Sequence, residues 1–218
     1  MVIWTLLPHL TACLAGEAVI LLDLRADRYF RVSARLAPHV RDWFAQGGGA
    51  APAIIAAFLV RSRLVERSDL RQLSARAAPV SIPNAVPHQE LAHALPRLGA
   101  ARLAGEVIGT WLALRTRRLE TLLGAHRAQR SALPAGPALA PAMLAAYHRA
   151  RRLVPIAKNC LLDSLALDRW LGDTAPPRKI VVGVTAEPFL AHCWLQTDGL
   201  LLNDHPDHVR RYAPILVV

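Results

Sequence analysis

The chain has 218 residues, 53% of them apolar and 19% charged. That is enough apolar side chain to bury one large core or two small ones, and the balance argues against a disordered chain. Its net charge of +10 comes from arginine, with lysine present only as Lys158 and Lys179. An Arg- and Ala-rich, Lys-poor composition follows GC-rich coding, so the charge is weak evidence for a nucleic-acid partner and none is expected.

Three cysteines, Cys13, Cys160 and Cys193, have no CxxC spacing. They argue against a disulfide scaffold and for a reducing compartment, taken as the cytoplasm. The stretch "LTAC" at Leu10–Cys13 is similar to a lipoprotein cleavage box. No Lys or Arg precedes it, however, and Pro8 and His9 interrupt the apolar run, so it is not expected to direct export. The longest apolar run, Ala50–Val60, falls short of the roughly 20 residues that span a bilayer, and no stable membrane insertion is expected.

In chain order, "LTACLAG", Val19–Leu24 and Arg28–Val32 read as three strands, the last two forming an antiparallel hairpin. Ser33 suits a helix N-cap, with Leu36, Val40, Trp43 and Phe44 on one helical face and Gly47-Gly48-Gly49 ending the helix. A second helix over about Pro52–Val60 and a short "RLVER" strand follow. Pro79, Pro83 and Pro87 mark a stretch without apolar periodicity, which has linker composition. From Leu98 to about Arg127, Leu103, Val107, Trp111, Leu114 and Leu122 recur at helical spacing, with a break expected near Gly109. Further helices are predicted over Ala142–Leu153 and from Cys160 to Gly172, then a strand at Arg178–Ala186, a hairpin through Asp198-Gly199, and a final "APILVV" strand.

Chemistry concentrates in the last third. Cys160 stands at a helix start, where unpaired N–H groups and the dipole stabilise a thiolate and can hold an oxyanion. A thiolate needs a base, and the base an orienter; His192 and Asp204 are available. A two-residue Asp198-Gly199 turn would put His192 opposite His205. A three-residue Thr197-Asp198-Gly199 turn puts it opposite Asp204, where paired Cβ atoms lie about 5 Å apart, so the three-residue turn with a left-handed Gly199 is expected. Alternation sends Cys193 to the opposite face, and it reads as packing, as does Cys13. A metal is the competing reading of His192, Cys193, Asp204, His205, Asp207 and His208. Yet "DHPDH" lacks ligand spacing and Pro206 should break any helix, so His205, Asp207 and His208 read as a polar loop and no metal is expected. No phosphate loop is present, so no ATP and no other cofactor is expected to bind here.

The segments "CLLDSLAL", "VVGV…PFLAHCWLQ", "LND" and "YAPILVV" resemble the B protein of lasso peptide biosynthesis over about Ala142–Val218. That family is a transglutaminase-like cysteine protease that removes the leader from a ribosomally made precursor. The resemblance implies Cys160, His192 and Asp204 as the triad and Gly183, Pro188, Phe189, Trp194 and Asn203 as framework. The stretch "AVILLDLRADRYFRVS" resembles the leader-recognition element fused in front of many members. It implies a leader added as a strand along the third strand, at Arg28, Tyr29, Phe30, Arg31 and Val32. The chain departs from that element in having only about 20 residues between Gly49 and Ser68, too few for all three of its usual helices. A further implication is a separate partner, an ATP-dependent asparagine-synthetase-like cyclase, which joins the freed core amine to an acidic side chain and supports efficient cleavage.

The expected fold is therefore α+β. It comprises a winged-helix-like recognition domain over 1–73, a Pro/Ala-rich linker over 74–95, and a transglutaminase/papain-like cysteine protease domain over 96–218 with helices packed on an antiparallel sheet. Two other readings compete: a winged-helix DNA-binding regulator, against which the apolar "APAIIAAFLVR" argues, and a non-proteolytic acyltransferase using the same triad.

Overall fold

The structure, a computed structural model, describes residues 3–45, 53–62, 65–68, 80–85, 96–130, 139–172 and 175–218. The chain divides into two compact units: Met1–Val80 with Gly183–Ala191 and Tyr212–Val217, and Ser81–Val182 with His192–Arg211 and Val218. It is a mixed α/β protein with strands and helices at its N-terminus.

In the first unit, β1 (Ile3–Leu6) leads into β2 (Leu10–Ala15), β3 (Ala18–Asp23) and β4 (Arg28–Arg31). The sequence pattern gave no sign of β1. It is four residues long and pairs antiparallel with β5 (Val65–Ser68), so its partner rather than its own alternation specifies it. Strands β2, β3 and β4 form one antiparallel sheet in that order. Gly16, at φ 58°, turns the chain between Ala15 and Ala18, a backbone angle that favours glycine. The next turn is held by Asp23, whose Oδ1 accepts from the amides of Arg25 (2.8 Å) and Ala26 (3.0 Å).

Central β3 is buried along almost its whole length, whereas β4 is mostly exposed and closes one side of the sheet. The Val32 amide donates to the Val19 carbonyl (2.9 Å). The alternation of an antiparallel ladder then turns the amides of Tyr29 and Arg31 away from β3 and toward the open edge. Helix α1 (Ala37–Ala45) buries Val40 and Trp43 against Leu10, Val19, Leu21 and Val32, with Ile55 of α2 (Ala53–Arg61) completing the core. Ser33 serves α1 through its carbonyl, which accepts from Leu36 and Ala37 (both 2.9 Å). The side chain of Phe44 and the Gly47-Gly48-Gly49 stop lie outside the described residues.

In the second unit, α3 (Arg97–Thr116) runs through Gly109 without interruption. The break falls instead at Arg117, where an extended backbone (φ −120°, ψ 151°) separates α3 from α4 (Leu119–Arg130). A glycine lowers helix propensity by only about 1 kcal/mol, and Leu103, Val107 and Thr110, all buried on the same helix, offset that cost. Helix α5 (Pro141–Arg151) starts on a proline at its first position, which loses no hydrogen bond there. Helix α6 (Cys160–Leu171) has Asn159 as its N-cap and ends at Gly172, φ 68°.

Asp168, at 1% exposure, receives Arg178 Nε (2.8 Å) and stands 3.3 Å from His126 Nδ1, so a buried charge is compensated where α6 gives way to the sheet. Strands β6 (Lys179–Ala186) and β7 (Phe189–Gln196) are followed by the one-turn α7 (Pro206–Val209) and β8 (Ala213–Val217), in sheet order β7-β6-β8. Of the expected linker over 74–95, only 80–85 are described. There Ser81 accepts from Gln196 Nε2 (2.8 Å) and the Ala85 carbonyl from Leu201 (3.0 Å).

Candidate active site

Cys160 is the first residue of α6. Asn159 Oδ1 takes the amides of Leu161 and Leu162 (3.1 Å each), two of the donors a helix start leaves unpaired. The cap therefore orients the thiol at the head of a rigid helix while using some of the donors expected to face the sulfur. The Cys193 amide supplies another hydrogen bond to Cys160.

The hairpin carrying His192 has a different register from the one expected. Gln196 bridges Leu201, Leu202 N donates to Leu195 O (2.9 Å) and Thr197 N to Leu200 O (2.9 Å). That is the two-residue Asp198-Gly199 turn. Among described glycines only Gly16 and Gly172 have a positive φ, so Gly199 does not form the predicted left-handed bulge. The Thr197 hydroxyl closes the turn instead, accepting from Gly199 (3.3 Å) and Leu200 (3.0 Å).

In that register the ladder would deliver His205, not Asp204, to His192. The site forms because the ladder stops at Leu202. His148 Nε2 donates to the Leu202 carbonyl (2.9 Å), and the Leu195 amide, deprived of that acceptor, donates to Asn203 Oδ1 (2.8 Å). The chain then leaves the strand, and Asp204 Oδ2 hydrogen-bonds His192 Nε2. Pro206 does not break a helix; it occupies the first position of α7, and the turn it starts brings His208 Nδ1 to Asp204 Oδ1 (2.9 Å) and Oδ2 (3.2 Å). His208, expected in a polar loop, is thus a missed part of the site. The Asp204–His208 spacing of one helical turn was the available signal.

The structure therefore brings Cys160, His192 and Asp204 together, with His192 Nε2 given to the carboxylate and Nδ1 left for the sulfur. His192 hydrogen-bonds Cys160 and holds its thiol below the usual range, against the opposing effect of burial, and the Cys193 amide lowers it further. Burial pushes His192 down, but its hydrogen bonds to Asp204 and Cys160 outweigh this and raise it to about 9. Burial also raises Asp204, yet hydrogen bonds from His192, His205 and His208 keep it below the ordinary carboxylate value. Together these shifts favour a thiolate–imidazolium pair next to a carboxylate, the charge state of a cysteine nucleophile with its base.

Cys193 is 3% exposed and burial pushes its thiol to about 12; Cys13 is also buried and raised to about 12. Both side chains are packing. Ser164, fully buried one turn along α6, donates to the Cys160 carbonyl (2.7 Å) and lies 3.2 Å from the Cys193 carbonyl. Asn203 Nδ2 donates to Ser164 Oγ (2.9 Å), so one hydroxyl ties the helix of Cys160 to the strand of His192. Trp194 stacks near His192, with ring centroids 6.1 Å apart, and its Nε1 donates to Gln196 Oε1 (2.7 Å). A cavity of about 160 Å³ opens at the sulfur, walled by Tyr147 and Arg151 of α5.

The residues expected to hold a peptide lie elsewhere. Arg28, Tyr29, Phe30 and Arg31 form β4, and Val32 follows it, buried. Tyr29 meets Phe189, with ring centroids 5.3 Å apart, and Arg31 pairs with Glu187 (2.8 Å). Phe30, Arg31 and Val32 line a second cavity of about 580 Å³ with Leu10, Leu21 and Phe58. Phe30 is 42% exposed there, an apolar side chain without full cover. Among the described residues the His192–Asp204–His208 group has donors that could hold a cation; their mutual hydrogen bonds already account for their positions.

Against known proteins, a family model described as the transglutaminase-like superfamily matches residues 107–217, just over half of the chain. The microcin J25-processing protein McjB of Escherichia coli is 37% identical over 49 residues, which span 22% of this chain and 24% of that protein. No solved structure matches significantly.

Proposed function

Because the chain belongs to the transglutaminase-like superfamily, we propose that it is a cysteine peptidase that removes the leader from a ribosomally made lasso precursor peptide. The observation that carries the reading is the approach of His192 to Cys160 at the head of α6, with Asp204 behind the imidazole. The Cys160 thiolate attacks the carbonyl carbon that ends the leader. The first amide of α6 and the helix dipole face the developing oxyanion. The tetrahedral adduct collapses, the C–N bond breaks, and the His192 imidazolium gives its proton to the departing core amine. Water, deprotonated by His192, then hydrolyses the thioester and frees the leader carboxylate and the thiolate. Asp204 keeps the proton on Nε2 when the imidazole is neutral, so that Nδ1 can accept.

Two features support a peptide substrate with a leader. The outward amides of Tyr29 and Arg31 and the cavity beside Phe30 suit an extended peptide added at the β4 edge. The relative with local similarity is named for processing microcin J25. The freed core amine would pass to a separate ATP-dependent cyclase, and this chain would need no cofactor of its own. No helix among the described residues is long and apolar enough to cross a membrane.

The test is a precursor-cleavage assay read by mass spectrometry. Wild-type protein releases leader and core. Cys160→Ala releases neither, yet still binds the leader. Cys193→Ala keeps most of the activity, since its side chain is packing. Loss of cleavage in Cys193→Ala with retention in Cys160→Ala would overturn the assignment of the nucleophile.

A further inference from the structure

The hairpin register leaves Asp204 without support from the ladder. Three groups hold its carboxylate instead: His192 Nε2 at Oδ2, the His205 amide at Oδ1 (2.7 Å), and His208 Nδ1 across both oxygens (2.9 and 3.2 Å). The first is the catalytic base and the second is local backbone. Among the described residues His208 is the remaining side chain on this carboxylate, and it comes from another element. Its backbone is held by α7, which buries Pro206 and Val209, the latter 0% exposed, and the His208 amide donates to the His205 carbonyl (3.1 Å). An ionised carboxylate only accepts, so His208 carries its proton on Nδ1 toward Asp204. The side chain of Asp204 is 13% exposed and that of His208 is 44%, so His208 lies toward solvent from the carboxylate. Its ring centroid is 4.6 Å from that of His192.

We propose that His208 is a positioning residue for the peptidase site: its Nδ1–H holds the Asp204 carboxylate so that Oδ2 stays on His192 Nε2. The inference rests on the reading of Cys160, His192 and Asp204 as the triad. His208 touches neither sulfur nor substrate; it acts through Asp204. Without it, the carboxylate rotates about its Cβ–Cγ bond, and the imidazole loses the orientation that points Nδ1 at Cys160. Asparagine is the informative replacement, because its Nδ2 stands at the same distance from the backbone as His Nδ1 and keeps a donor toward Asp204.

In the full-length protein, His208→Ala should lower kcat about tenfold, the scale of a misplaced catalytic group, with KM changed less than about twofold. His208→Asn should recover to within about threefold of wild type, and both variants should melt near the wild-type temperature. The proton NMR signal of His192 Nε2–H, shifted downfield by its bond to Asp204, should move or broaden in His208→Ala and return in His208→Asn. The rate of Cys160 alkylation by iodoacetamide gives the same comparison without a peptide, since Cys13 and Cys193 are buried. If wild type alkylates rapidly but cleaves no leader, the lasso reading fails while the positioning role stands. An unchanged kcat and alkylation rate in His208→Ala would overturn it. So would equal losses in both variants that follow a lowered melting temperature, which mark a structural role only.

Discussion

At the scale of single residues, the three shifted groups set a pH window. Cys160 is held below the ordinary thiol range, so the thiolate is present above that depressed value; His192 is raised to about 9, so the imidazolium survives until then. The thiolate–imidazolium pair exists between the two, and they titrate as a pair. The pH profile of kcat/KM should rise on the acid side as Cys160 ionises and fall near pH 9 as the imidazolium loses the proton it must give the leaving amine. Asp204→Asn should move the alkaline limb to lower pH, because the carboxylate's hydrogen bond is a main effect holding His192 up against burial. An alkaline limb that stays in place would separate it from His192. The candidate residues themselves were legible in the sequence: a cysteine opening a helix, a histidine on a strand, and a second strand cysteine that is buried. His208 was missed despite its one-turn spacing from Asp204, because a proline read as a helix breaker in fact began the turn that carries it.

At the scale of elements, α6 and β7 are joined through Ser164 and Asn203. Ser164→Ala leaves the Asn203 side-chain amide without its acceptor in a part-buried site, which costs about 1 kcal/mol of stability. Thermal unfolding should show that loss, and kcat should fall with it, because the same hydroxyl bonds the Cys160 carbonyl. The turn offers a second measurement. Gly199 has an ordinary φ and open space where a Cβ would be, so Gly199→Ala should change stability by less than about 0.5 kcal/mol. Gly172→Ala, at φ 68°, should cost about 1–2 kcal/mol. A large loss in Gly199→Ala would restore the three-residue turn. Strands β2 to β4 and helices α5 and α6 were legible from periodicity and punctuation. The hairpin register was not: a threonine hydroxyl and an asparagine amide replace backbone partners there, and spacing does not encode such substitutions.

At the scale of the whole molecule, the proposed peptide edge and the proposed nucleophile belong to different compact units, and the first unit includes Gly183–Ala191 from the far end of the chain. The leader-binding test therefore uses the full chain. Arg31→Pro removes an outward amide of β4 without removing a ladder bond, whereas Arg31→Ala removes only the side chain and its pair with Glu187. In a Cys160→Ala background, Arg31→Pro should weaken binding of a labelled leader about tenfold, near 1.4 kcal/mol, and Arg31→Ala by much less. Equal affinities in anisotropy titrations of both would remove strand addition at this edge.

By itself the sequence determined the order of most strands and helices, the placement of Cys160 at a helix start, the burial of Cys193 and the family, because these depend on local patterning and short motifs. Only the tertiary structure decided how Asp204 reaches His192. The expected three-residue register is absent, and the contact exists because His148, from α5, takes the Leu202 carbonyl and ends the ladder. A donor supplied by a helix 54 residues upstream in the chain leaves no trace in the hairpin's own alternation. That is why the same two residues meet by a different route.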